Sequence, residues 1–109
     1  MGLGTGAVIQ AVRVAPWGAG TTVSITGAST AAQNLTSLVG QGVLIKCDVP
    51  FHILWGPSTV AAAQTSDLLL EANVIYRVDI PSPAADWGYF RAIREGSTSG
   101  TLYYAAIAY

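Results

Sequence analysis

The segments GVLIKCD at residues 42–48 and FHILW at residues 51–55 decide the fold. Their apolar side chains alternate with other residues, so that one face of the two segments collects Val43, Ile45, Cys47, Phe51, Ile53 and Trp55. The opposite face carries Lys46 and Asp48 in the first segment, and His52 and Leu54 in the second. Successive side chains of a strand point to opposite faces, so this alternation predicts two half-buried strands.

The same alternation recurs along the chain and predicts further strands at Ala7–Val14, Thr21–Thr26, Val74–Ile80, Trp87–Arg94 and Thr101–Ala108. Turn residues separate these segments at short intervals. About seven or eight short antiparallel strands separated by such turns favour an all-β fold, either a β-sandwich or a jelly roll. Residues 1–109 are predicted to form one domain, of which residues 1–6 are a flexible Gly-rich leader.

Three connections carry predictions of their own. Two prolines within residues 81–86 withhold backbone donors, which argues against a helix or a central strand there. Residues 95–100 have the composition of a hairpin loop between the last two strands. The best helix candidate, Val60–Thr65, is long enough only for a turn or two, and an extended loop is the alternative.

The chain carries very little charge. Charged residues make up 10% of the sequence, against about 25% in a typical soluble domain. A folded chain of this size exposes roughly 5,700 Å², and its mean hydropathy is +0.46. A surface so poor in charge is unfavourable in water unless other protein covers it, so the composition indicates a structural subunit.

Several classes of partner and location are disfavoured. The basic residues are dispersed, which argues against nucleic-acid binding; they are Arg13, Lys46, Arg77, Arg91 and Arg94. The apolar stretch 102–109 is far shorter than a membrane-spanning helix, so no membrane association is expected. The N-terminal residues lack the pattern of a signal peptide, so the chain is expected to act in the compartment in which it is made.

No residue cluster predicts catalysis, a cofactor or a metal. The only local group of suitable residues is Cys47, Asp48 and His52, in which Cys47 and Asp48 point to opposite faces of one strand. Cys47 is expected to be a small buried apolar side chain, because burial raises the pKa of a thiol and makes it unreactive. The sequence at residues 2–7 fits G-x-G-x-x-A, but no strand precedes it, so a dinucleotide site is not expected. The chain is therefore predicted not to be an enzyme.

Aromatic residues are the candidate interface. Trp55 shares the apolar face of its strand and is expected in the core, whereas Trp17 and Trp87 lie at turns. Aromatic side chains are enriched at protein interfaces. The candidate interface residues are Trp17, Trp87, Tyr103, Tyr104 and Tyr109. The alternative is a carbohydrate-binding module in which these rings stack on sugars.

The order of segments from residue 51 onward resembles a known family. A strand ends at residues 55–58 (WGPS), a loop of small residues runs through 60–67, and residues 68–73 lead into the strand at 74–80. The chain closes with FRAIR at 90–94 and SGTL at 99–102. This order is similar to that of the small β-sandwich virion proteins of tailed bacteriophages, which are of the head decoration or cement type.

The resemblance implies a subunit without enzymatic activity that binds and stabilises the shell of major capsid protein. It implies a homo-oligomer, most often a trimer, without cofactor, made in the bacterial cytoplasm and located on the virion surface. A head–tail or tail accessory subunit is the alternative within the same family.

Overall fold

The computed structural model describes residues 20–38, 40 and 42–106. Eight strands lie in this part of the chain: β1 (Thr21–Ile25), β2 (Gln33–Asn34), β3 (Gly42–Cys47), β4 (Phe51–Gly56), β5 (Leu68–Leu70), β6 (Tyr76–Asp79), β7 (Tyr89–Arg94) and β8 (Gly100–Ala106). The connections contain one 3-10 turn at Thr36–Leu38 and a short helix, α1 (Ala84–Trp87). The predicted strand Ala7–Val14, the leader 1–6, and the candidates Trp17 and Tyr109 lie outside the described residues.

The strands form two antiparallel sheets of four strands each. Sheet I has the order β1-β8-β3-β6, and sheet II has the order β2-β7-β4-β5. The first strand pairs with the last, β2 with β7, β3 with β6, and β4 with β5. A chain paired in this way is a long antiparallel ribbon wound upon itself, which is the topology of a jelly roll. The prediction of an all-β sandwich or jelly roll is therefore confirmed.

The core lies between the inner faces of the two sheets. The alternating apolar residues of β3 and β4 supply much of it, as their pattern predicts, and Cys47 is fully buried among them. Sheet I adds Ile25 and Leu102, and sheet II adds Phe90 and Ala92. Trp55 packs against this core with its ring centroid 5.0 Å from that of Phe90. Trp55 is thus a packing residue, in agreement with the sequence prediction.

The connection between the last two strands differs from the prediction. Residues 95–99 do not close a hairpin, because β7 belongs to sheet II and β8 to sheet I. Phe90 and Leu102 both point into the core, from opposite sheets. The connection therefore arches over the end of the sandwich. Turn composition alone does not distinguish an arch from a hairpin.

The prediction that residues 81–86 exclude a helix is wrong. Helix α1 begins directly after Pro83, which is its N-cap residue. The backbone N–H of an N-cap residue has no acceptor within the helix. A proline, which lacks this N–H, is therefore well tolerated there. The helix ends at Trp87, and β7 accordingly begins at Tyr89 rather than at Trp87.

The segment Val60–Thr65 takes the alternative that the sequence left open and forms an extended loop without a helix. Val60 and Ala63 are nevertheless buried. The Ala63 amide donates to Ser29 Oγ at 2.9 Å, which connects this loop to the β1–β2 connection. The long β4–β5 connection is therefore a packed part of the fold.

Candidate interaction surface

The outer face of sheet I forms an open groove of about 380 Å³. Strand register builds it. Thr22 of β1 lies beside Tyr103 of β8, which lies beside Lys46 of β3. In the next row Ala105 lies beside Leu44. The residues that line this groove are Gly20, Thr21, Thr22, Leu44, Ile45, Lys46, Ile75, Tyr103, Tyr104 and Ala105.

The groove is largely apolar. Leu44 and Ala105 are half-buried on it, and Ile75 stands at its edge with 64% of its surface exposed. Tyr103 is 46% exposed, and Lys46 supplies the cation. A large exposed aromatic ring beside aliphatic side chains is typical of protein interfaces. The chemistry that this surface offers is therefore the burial of another apolar surface, with a charge at the margin.

The structure separates the predicted interface residues. Tyr103 lies in the groove, as an interface residue would. Tyr104 contributes to the lining, but its ring points inward and packs edge-on against Phe90 at 5.6 Å between centroids. Trp87 is 49% exposed at the end of α1 and is not among the residues that line the groove. The structure thus does not bring Trp87 together with Tyr103.

Two important groove residues were not among the sequence candidates. Leu44 alternates with the buried residues of β3, and Ile75, directly before β6, lies two residues from Arg77 and so shares its outer face. Alternation places both residues on the face opposite the core. That signal predicts their direction, but it does not predict that the outer face is left uncovered at this point.

A polar cluster surrounds His52 on the outer side of sheet II. Although His52 points away from the core, only 4% of it is exposed. Its Nδ1 lies 2.8 Å from the Asp67 carbonyl oxygen, and its Nε2 contacts the Glu95 carboxylate in a short hydrogen bond. Both ring nitrogens therefore face acceptors, an arrangement that suits the doubly protonated imidazolium.

The electrostatics of this cluster favour the same form. Burial lowers the pKa of His52, but the hydrogen bonds to Glu95 and to the Asp67 carbonyl raise it. The outcome is a pKa above the ordinary histidine value. The cluster holds the β4 strand to the segment before β5 and to the end of β7. The geometry of the cluster therefore supports a structural role, in which His52 connects these three segments.

Reactive and metal-binding chemistry finds little support in the described part of the chain. Burial raises the pKa of the Cys47 thiol, which disfavours the nucleophilic thiolate. Within residues 20–38, 40 and 42–106, no three His, Cys, Asp or Glu side chains are grouped so that they would hold a metal ion. Nor does any helix of these residues have the length and apolar character needed to cross a membrane.

Taken with the fold, these features define a jelly-roll domain with an apolar groove on the outer face of one sheet. Comparison with known protein families, curated proteins and solved structures gives no match to this chain.

Proposed function

We propose that this chain is a non-enzymatic structural subunit of a bacteriophage virion, a decoration protein that binds the capsid shell as a homo-oligomer. The observation that carries the proposal is the apolar groove on a domain with an otherwise charge-poor surface. Exposed apolar patches on small soluble domains mark sites where other proteins bind. The jelly-roll topology supports the same view, since it is a common architecture of capsid domains.

The proposed mechanism is burial of apolar surface between the decoration protein and neighbouring subunits of the shell. Each Å² of apolar surface removed from water contributes roughly 25 cal/mol before the cost of association is subtracted. Tyr103 and Ile75 are the exposed large hydrophobic side chains of the groove. A contact repeated over the whole shell would raise the pressure and temperature that the particle withstands.

The test compares complete particles with particles that lack this protein. Both are heated, and release of the genome is followed with a fluorescent dye that binds DNA. Complete particles are expected to release DNA at a higher temperature. Equal release temperatures would exclude a stabilising role.

A second arm connects the result to the groove. The Tyr103→Glu variant places a carboxylate within the apolar groove and is expected to abolish binding to stripped particles. The Ser58→Glu variant adds the same charge at an exposed residue of the β4–β5 connection and is expected to bind normally. Normal binding of Tyr103→Glu would remove the groove from the proposal.

Two other functions are distinguished by simple measurements. A head–tail or tail accessory subunit would be present in few copies per particle, whereas a decoration protein is abundant, and densitometry of purified virions separates them.

A carbohydrate-binding module is favoured by the Tyr103 ring and the adjacent Thr21 and Thr22 in the groove. For that function, tryptophan or tyrosine emission would respond to a panel of glycans, and the Tyr103→Ala variant would lose the response.

A further inference from the structure

One side of the sandwich carries most of the large apolar side chains that remain exposed. Among the residues that the structure describes, β5 and β6 are the edge strands of their sheets on this side, and the short connection 71–75 joins them. Of the six exposed large apolar residues among the described ones, four lie in this region: Leu68, Leu69, Val74 and Ile75. Exposed edges of this kind are templates for pairing with a further strand.

The outer row of β6 carries two opposite charges. Arg77 and Asp79 lie two residues apart, so they point to the same face of sheet I, and both side chains are exposed. Within the chain, Arg77 Nε donates to Asp79 Oδ1 at 3.3 Å. The midpoint between the two charges along the strand is Val78.

This charge pattern is complementary to itself. When β6 pairs antiparallel with β6 of a second copy about an axis at Val78, Arg77 of each copy lies opposite Asp79 of the other. Opposite charges directly across an antiparallel pair stabilise it, and a two-fold interface requires that each contact occur twice in this reciprocal way. In this register Ile75 of each copy lies opposite Pro81 of the other copy, so the exposed Ile75 side chains flank the contact at its two ends.

We infer that two copies of this chain associate edge to edge through β6, about a two-fold axis at Val78, so that sheet I continues into sheet I of the second copy. This inference deepens the proposed function and rests on its proposal that the chain is a homo-oligomer. The axis defines the contact between two copies and leaves the groove between β3 and β8 available to the shell. A closed trimer contains no two-fold axis, so the expected assemblies contain two copies or, when combined with a three-fold axis, six.

The experiment measures the mass of the purified chain by light scattering. The wild-type chain is expected at two or six times 11.3 kDa. The single variants Arg77→Glu and Asp79→Lys each place two like-charge pairs across the axis, and each is expected to halve the mass. The double variant Arg77→Glu/Asp79→Lys restores opposite charges and is expected to regain the wild-type mass.

An equimolar mixture of the two single variants gives the sharpest result. Across the axis, a copy with Arg77→Glu meets a copy with Asp79→Lys through opposite charges at both positions, so the mixture is expected to return to the wild-type mass. The contact between residues 77 and 79 inside each chain stays repulsive whether or not the variants are mixed. Recovery therefore reports contact between copies, and it also shows that both single variants are folded.

Three outcomes would overturn the inference: a monomeric wild-type chain, a wild-type trimer, or a mixture that keeps the halved mass. None of these results bears on the heating of particles, so the inference and the proposed function can fail separately. A dimer that changes nothing in particle stability would leave the edge contact standing and remove the decoration role.

Discussion

At the residue scale, His52 gives the unfolding free energy a dependence on pH. Its pKa in the folded chain lies above the unfolded value, because the hydrogen bonds to Glu95 and Asp67 outweigh the effect of burial. The native state therefore binds more protons than the unfolded state between the two pKa values. The stabilisation is complete below the unfolded pKa of about 6.5 and is lost as pH rises through the folded pKa.

We accordingly expect urea denaturation to show an unfolding free energy that falls as pH rises above about 6.5. His52 is the sole histidine in the sequence, which makes this pH range informative. The Glu95→Gln variant removes the carboxylate that favours the imidazolium, and its stability should depend less on pH. A Glu95→Gln profile as steep as that of the wild-type chain would contradict the assigned role.

Gly100 is a residue at which even a single methyl group should be costly. A Cβ built there would meet Asp48 Oδ1 and would lie 2.7 Å from Val49 Cγ2. The same Asp48 oxygen accepts a hydrogen bond from the Thr101 amide at 2.8 Å, so it cannot move without loss of that bond. The Gly100→Ala variant is expected to lose at least about 2 kcal/mol of unfolding free energy.

The matched control is Gly96→Ala in the same connection, since no atom lies within 4 Å of a Cβ at that residue. Its unfolding free energy should change by no more than about 0.5 kcal/mol. Chemical denaturation of both variants checks the pair, and equal effects would show that crowding at Asp48 is not the cause.

At the scale of elements, Arg91 fixes the long β4–β5 connection to the outer face of sheet II. Its Nε donates to the Thr30 carbonyl at 2.8 Å, and Nη1 donates to the Val60 carbonyl at 3.3 Å. The Arg91→Met variant keeps the aliphatic stem and removes both donors. Loss of hydrogen bonds from a charged donor is expected to cost about 1–3 kcal/mol.

The expected consequence of Arg91→Met is faster proteolysis within residues 57–67, in addition to the lower unfolding free energy. Lys46→Met on sheet I removes a positive charge from an exposed side chain and should change neither measurement. A connection that resists protease equally in both variants would show that Val60 and Ala63 hold it without Arg91.

The elements that the sequence predicts well are those whose burial alternates. Strands β3 and β4 are predicted almost to the residue, because apolar residues that enter the core alternate in them with residues of the opposite face. Strand β5 reads Leu-Leu-Leu and β2 has only two residues, so neither contains an alternation from which a strand could be predicted. The partners of each strand depend on contacts between residues distant in sequence, which is why the prediction of a hairpin at residues 95–100 is wrong.

The candidate surface was predictable only in part for the same reason. Tyr103 is one of the aromatic candidates that the sequence offers, and it lies in the groove. Leu44 and Ile75 reach the groove because β3 pairs with both β8 and β6, and no local pattern encodes that order. The contact between His52 and Glu95 likewise joins residues brought together only by the β4–β7 pairing.

At the scale of the whole molecule, the apolar residues divide into a set that holds the fold and a set on the surface that is available for association. Leu102 represents the first set, since it is fully buried in sheet I and packs in the core that both sheets share. Ile75 represents the second, since it is largely exposed. Truncation to alanine should therefore lower the unfolding free energy in the first set and weaken association in the second.

Leu102→Ala is expected to lower the unfolding free energy by about 2–5 kcal/mol, the usual cost of a cavity in a core. Because the sheets share one core, circular dichroism and tryptophan emission should report the same transition. Ile75→Ala should leave the unfolding free energy within about 0.5 kcal/mol of the wild-type value. Its effect should appear instead as a smaller associated fraction in light scattering at equal concentration. Separate transitions for Leu102→Ala would mean that the sheets do not unfold as one unit, and a destabilised Ile75→Ala would mean that this edge serves the fold itself.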